Sequence, residues 1–310
     1  MLARYGGPEE FAVRELPEPV AGPGQCLVDV TLAGLNFVDL EWRQGEYGPP
    51  PLPAVLGVDV VGRRRGDGRR VVALLRRGGG YAEVACAEEA FTVEVPDGLG
   101  DEQALALLEQ GATALGALEL IGRPRPGEVV AVTAAAGGVG HLAVQLAREL
   151  GAGRVVGLAS TAAKREFVRS LGAEVALDPA DPDLAERLAE QRIGLFVDSV
   201  GGAVLRAGLA ALEPFGRLLS VGARADAPED AFSVDELAGR SAGVLAFWLQ
   251  HVLADRALFE RIAGRLFELA LEKRLVAHVD RTAPLARVGA AHRALAARAT
   301  KGKVLVDVRA

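Results

Sequence analysis

The sequence predicts an α/β protein in which a doubly wound parallel sheet is joined to a smaller, mainly-β module. Three observations carry this. The first third is broken by dense Pro and Gly into short apolar runs. From Gly127 onward apolar strands alternate with helical patterns over short connections, the pattern of repeated βα units and a parallel sheet. Between the two, the buried strand Val129 to Thr133 runs into a small-residue loop that opens a helix. With 310 residues the chain is long enough for two domains.

The elements follow in order. Cys26 to Ala33 (CLVDVTLA) reads as a half-buried strand after the turn Gly22-Pro23-Gly24. Gly45 to Gly68, with Pro49-Pro50-Pro51 and Pro53, cannot hold long helices. Val71 to Leu75 and Tyr81 to Val95 suggest further strands, and Ala104 to Leu120 a helix. Strands are then expected at Val155–Ala159, Glu174–Leu177, Leu195–Asp198 and Arg217–Val221. Helices are expected at His141–Leu150, Ala162–Leu171, Asp183–Gln191 and Val204–Leu212. Leu253 to Leu271 reads as one long amphipathic helix, Ala286 to Ala297 as another, and Lys303 to Val308 as a closing strand. The terminal segment is expected to return to the first module, giving domains 1–110 with 247–310, and 111–246.

Composition narrows the function. The net charge of −6 argues against a nucleic-acid partner. No apolar run approaches the roughly 20 residues of a membrane helix, and Met1 to Phe11 lacks signal-peptide order, so a cytoplasmic protein without a membrane partner is expected. Cys26 and Cys86 form no CxxC pair and lie near no histidine, and none of the four histidines pairs with another at helical spacing. No metal site is expected.

The loop Val129–Gly140 (VVAVTAAAGGVG) places Ala135, Gly137 and Gly140 at the three positions of a GxGxxG fingerprint. Gly137 would let the backbone approach a diphosphate, and Gly140 would let the helix pack on the strand. The diphosphate would rest on the N–H groups of Ala136, Gly137, Gly138, Val139 and Gly140 at a helix N-terminus. This is the signature of a Rossmann domain. An NAD site places an acid at the end of the second strand, but Val155 to Ala163 (VVGLASTAA) has none. Ser160, Thr161 and Lys164, with Arg165 following, would hold a 2′-phosphate that a carboxylate would repel. The residues favour NADP(H).

The chain resembles the zinc-independent medium-chain dehydrogenase/reductases of the quinone oxidoreductase (zeta-crystallin-like) group. The likeness runs through Gly6–Val30, AGLNFVDLEWRQGEY (Ala33–Tyr47), VLGVDVVG (Val55–Gly62), GGYAEV (Gly79–Val84), Ala134–Ala152 and RATKGKVLV (Arg298–Val306). It implies a GroES-like mainly-β catalytic domain beside the Rossmann domain. Asn36 stands where zinc-dependent relatives carry a ligating Cys, and Val58 where they carry a His; Asp59 replaces the commoner Glu. The resemblance implies that Asn36 and Tyr47 line the nicotinamide and substrate cleft, with Tyr47 as proton or hydrogen-bond donor. It implies that Thr113 bonds the carboxamide and that Val221, Gly222, Ala223, Phe247 and Trp248 pass the cofactor. Arg298 would reach the 2′-phosphate. Asp39 and Arg43 read as an ion pair at helical spacing. The arginines between Arg63 and Arg77 read as a solvated basic hairpin, with a phosphate-bearing substrate as the alternative.

Without a Lewis acid, these features imply reduction of an activated acceptor. A quinone reductase and an enoyl or 2-alkenal reductase both fit, as does an NADPH-binding protein with little turnover. The apolar strand Gly243–Phe247 would leave a sheet edge to be covered, so a homodimer is expected.

Overall fold

The computed structural model describes residues 1–222 and 231–310; Ala223 therefore lies outside the described residues. The chain divides into two units, 1–109 with 255–310, and 110–254.

The first unit is built on a seven-stranded sheet in the order β12-β13-β1-β2-β3-β5, with β4 pairing β1. The long strand β1 (Gln25–Leu35) is its axis. It pairs antiparallel with β2 (Asp59–Arg64), β4 (Val84–Glu88) and β13 (Lys303–Asp307), and shifts register between Val30 and Leu32. β3 (Arg70–Leu74) and β5 (Thr92–Glu94) extend one side, and β12 (Val279–Pro284) lies parallel to β13 on the other. Val28, Val30, Val60, Val71, Val304 and Val306 fill the core. β12 is missing from the sequence pattern because VDRTAP alternates nothing apolar.

The helix α1 (Phe37–Gln44) begins at Asn36, whose backbone N–H donates to the Asp39 carboxylate, and stops at Gly45 in the left-handed region. The helix expected from Leu253 to Leu271 is two helices, α8 (Gln250–Leu253) and α9 (Arg256–Leu271). The Asp255 side chain accepts from Leu258 N at 3.1 Å and restarts the chain as an N-cap. The crossover between units falls at this break, later than the residue 247 suggested by the sequence.

The second unit holds a six-stranded parallel sheet in the order β11-β10-β9-β6-β7-β8. These are β6 (Val129–Val132), β7 (Arg154–Leu158), β8 (Val175–Leu177), β9 (Ile193–Asp198), β10 (Leu212–Val221) and β11 (Gly243–Phe247). The first of them, β6, lies in the middle, with later strands running outward on both sides. The crevice between β6 and β9 is thus the topological switch point where open α/β sheets bind ligands. Helices α3 (Gly138–Glu149), α4 (Ala162–Ser170), α5 (Leu184–Ala189) and α6 (Gly202–Ala210) connect the strands, and α7 (Val234–Arg240) precedes β11. Among the described residues β11 is the sheet's edge, bonded to β10 alone.

The helix α2 (Asp101–Gly116) continues through a wider π-type turn to Gly122. Contrary to the sequence reading, Asp101–Gly122 is long and apolar enough to cross a membrane by length and composition. Of its most apolar window, 78% is buried inside the protein.

Candidate active site

At the switch point Ala134 adopts φ 44° and turns the chain out of β6. Ala135 N donates to Leu158 O of the neighbouring strand at 2.9 Å, and Gly137 N to Ala134 O at 2.7 Å. α3 then starts from an extended Gly137 with no side-chain cap, so its first N–H groups point to the site without an intrahelical acceptor. Gly140 is required sterically: a Cβ there would lie 2.3 Å from Ala134 O. His141, buried against this turn, lies with Nδ1 2.9 Å from Gly137 O.

Across the crevice, Thr133 Oγ donates to Asp198 Oδ1 at 2.9 Å and accepts from Ser199 N at 2.9 Å. Val200 N and Gly201 N also donate to the fully buried Asp198 carboxylate. This pair ties the exit of β6 to the exit of β9. The sequence pattern did not single it out, since its two halves are 65 positions apart.

At the end of β7, Ser160 and Thr161 are exposed and Lys164 half-buried. Thr161 Oγ caps α4 by accepting from Lys164 N at 3.2 Å. Arg165 is already engaged: its Nη1 donates to Ala159 O at 3.0 Å and to Asp178 at 2.8 Å. Thr113 is buried on α2, between Gln110, whose side chain packs on Gly138, and Gly116, where a Cβ would lie 2.7 Å from the Phe247 ring. Val221 pairs in register with Phe247, and Gly222 follows with φ 88°. Trp248 is half exposed and stands edge-on to His251. These residues gather at the C-terminal strand ends of the second unit.

The first unit holds a different cluster. Lys303 is 1% exposed, and its Nζ donates to Asn36 Oδ1 and to Asp59 Oδ2, each at 2.7 Å. Asn36 Nδ2 donates to Asp59 Oδ1 at 2.6 Å and closes the ring. Gly34 makes the space, because a Cβ there would lie 2.2 Å from Asp59 Oδ1. Asp39 is also fully buried; it accepts from Asn36 N and Gly57 N, each at 2.9 Å. Burial pushes its carboxyl up to about 7, against the pull of those two N–H groups, and Glu109 is likewise pushed to about 7 by burial. The expected Asp39–Arg43 pair is not formed. Asp39 turns inward to the backbone, and buried Arg43 donates to Gly6 O at 2.7 Å.

Tyr81 Oη and His292 Nε2 lie 3.2 Å apart, and burial holds His292 down at about 3. Tyr47 follows the end of α1 with φ 55°; its side chain is 40% exposed, and its carbonyl accepts from Trp42 Nε1 at 3.1 Å. Arg298 is exposed with φ 52°. Four of the seven arginines between Arg63 and Arg77 are taken by carboxylates: Arg64 by Asp67, Arg65 by Glu18 and Asp29, Arg69 by Glu94, and Arg70 by Asp101; Arg63 donates to Gly68 O, and Arg76 lies over the Phe91 ring. That arrangement matches a solvated basic hairpin better than a phosphate site.

Among the described residues no three His, Cys, Asp or Glu side chains come together to hold a metal ion. The Asn36 amide oxygen is taken by Lys303, and Val58 offers only alkyl carbon. These residues do not fit a zinc ion.

Residues 22–97 match the family described as Alcohol dehydrogenase GroES-like domain, and residues 138–266 the family described as Zinc-binding dehydrogenase. The chain is 31% identical to a quinone oxidoreductase of Pseudomonas aeruginosa, over 98% of each chain. It is 30% identical to a 2-haloacrylate reductase of a Burkholderia species, over 99% of this chain and 97% of that one. A solved quinone oxidoreductase of Thermus thermophilus, described also in its complex with NADPH, superposes with a TM-score of 0.86 at 36% identity, covering 99% of this chain and 98% of that chain.

Proposed function

Because the chain belongs to the zinc-independent medium-chain dehydrogenase/reductases of the quinone oxidoreductase group, we propose that it is a reductase whose acceptor is a quinone. Its reductant is NADPH, which supplies the hydride when bound. The observation that carries this reading is the uncapped N-terminus of α3 behind a glycine loop, beside a second strand whose end offers two hydroxyls and an ammonium and no acid. The α3 N–H groups from Ala136 to Gly140 would hold the diphosphate. Ser160, Thr161 and Lys164 would hold the 2′-phosphate, with Arg298 as a further candidate. Thr113 would take the carboxamide, and the strand ends at Val221, Gly222 and Phe247, with Trp248, would flank the rings; the same role is proposed for Ala223.

Reduction to the hydroquinone consumes one hydride and one proton. The exposed phenol of Tyr47 is the group proposed to donate a hydrogen bond or proton to the acceptor oxygen. Asn36, read from the resemblance as a substrate-orienting residue, has its amide engaged by Lys303 and Asp59. Its proposed role is to fix the start of α1, and through it Tyr47. NADPH oxidation followed at 340 nm with a panel of quinones, enals and enoyl thioesters tests the reading. Quinone turnover with NADPH preferred over NADH is expected; no turnover with any quinone rejects it.

The 2-haloacrylate reductase relative favours a second reading, an α,β-unsaturated acid or carbonyl as acceptor. Turnover of enals alone would select it. The edge of β11, unpaired among the described residues, supports a homodimer, and the free thiols Cys26 and Cys86 suit a reducing cytoplasm. A monomer in sedimentation at micromolar concentration rejects the dimer.

A further inference from the structure

We propose that the second unit carries a separate anion site at the N-terminal ends of its parallel strands, fitted to a small phosphate monoester bearing a planar ring. A cavity of about 350 Å³ opens there, where β6, β7 and β9 begin, at the opposite strand ends from the glycine loop. Its size falls at the lower end of small-molecule sites, which span roughly 300–1,000 Å³.

The charge balance of this cavity is uneven. Its two carboxylates are Glu128 and Glu213. Glu128 is held by Arg217, through Nη1 at 2.6 Å and Nη2 at 2.9 Å, and Glu213 by Arg192 Nε at 2.7 Å. Two lining arginines remain. The Arg125 guanidinium has only long contacts, 3.5 Å to Phe215 O and 3.9 Å to Glu128, and its side chain is 59% exposed. Arg154 gives Nη2 to Gln191 O at 2.7 Å, but its Nε is buried with no acceptor among the described residues. Such an unmet buried N–H is unfavourable.

A second cost falls on the same rim. β10 bulges between Leu212 and Arg217, and in the bulge Phe215 has φ 68° with 68% of its surface exposed. The left-handed region is unfavourable for a non-glycine residue, and an exposed ring recovers nothing through burial. Strain and an unsatisfied donor at one cavity mark a place shaped for a ligand. A phosphate dianion matches the Arg125 guanidinium and the part of the Arg154 fork not bonded to Gln191 O, and a planar ring can stack on Phe215. Because the glycine loop is at the far strand ends, the site fills independently of NADPH.

The test is calorimetric titration of phenyl phosphate into the full-length, NADPH-saturated protein, with inorganic phosphate and benzoate in parallel. Saturable binding at one site per chain is expected, unaffected by NADPH and weaker for both comparison ligands. R125Q and F215S, both at exposed positions, should each weaken it about tenfold; R154Q should do the same if its circular dichroism is native. No saturable binding, displacement by NADPH, or unchanged affinity in both R125Q and F215S overturns the proposal.

Discussion

The Lys303 cluster of the first unit and the glycine loop of the second treat polar groups in opposite ways. In the cluster, Lys303, Asp59 and Asn36 satisfy one another in a closed ring. In the loop, helix N–H groups are aimed outward without a capping side chain. A closed ring builds a scaffold, whereas open donors wait for a ligand. The two regions therefore respond to different perturbations: charge removal damages the first through stability, and shape change damages the second through affinity.

The largest effect is expected from K303M, which leaves the Asp59 carboxylate buried and unpaired. Breaking a buried pair in this way costs about 3–5 kcal/mol, read by urea unfolding. The double variant D59N/K303M should recover part of it. A loss below about 1 kcal/mol would show that the ring is not an electrostatic unit, and the contrast would fail. Next is G140A, whose methyl must displace backbone of Ala134 and Ala135. Overpacking of about 1–3 kcal/mol should weaken NADPH roughly five- to hundredfold in a fluorescence titration.

The third concerns pH. The Asp39 carboxyl is raised from 3.8 to about 7 by burial, so the folded chain holds a proton that the unfolded chain releases. Its contribution to stability is greatest below about pH 4, falls as pH rises, and is flat above about pH 7, with a slope of at most about 1.4 kcal/mol per pH unit. Urea unfolding across this range should show that slope in the wild type minus D39N difference. A flat difference would mean that Asp39 is ionised throughout. The smallest effect is expected from K164Q. Losing one half-exposed cation should raise the KM for NADPH about fivefold, a loss of about 1 kcal/mol, and leave that for NADH unchanged. Equal effects on both cofactors would remove Lys164 from the 2′-phosphate.

The same contrast explains what could be read beforehand. The loop was legible because strand, turn and helix start fall within twelve consecutive residues, Val129–Gly140. Gly140 there answers a local steric need. β11 as an edge was likewise readable from its neighbours, whereas the cap that Thr161 makes on α4 was not singled out. The Lys303–Asn36 contact joins residues 267 positions apart, and nothing local in KGKVLV distinguishes a buried lysine from a solvated one. Arg165 reads as a free cation until β8 brings Asp178 beside it. The helix break at Asp255 was hidden because the apolar pattern continues across it; only the side-chain cap reveals the stop.

The strand that carries Lys303 has a consequence for how the chain is made. Residues 110–254 form a continuous stretch, while the first unit needs β13 to neutralise Asp59 and complete its sheet. During synthesis the second unit is available to fold while the opening strands must wait for β13 to leave the ribosome. Lys303 thus acts as a latch on the opening strands, and closes only after the intervening elements of both sheets have been made.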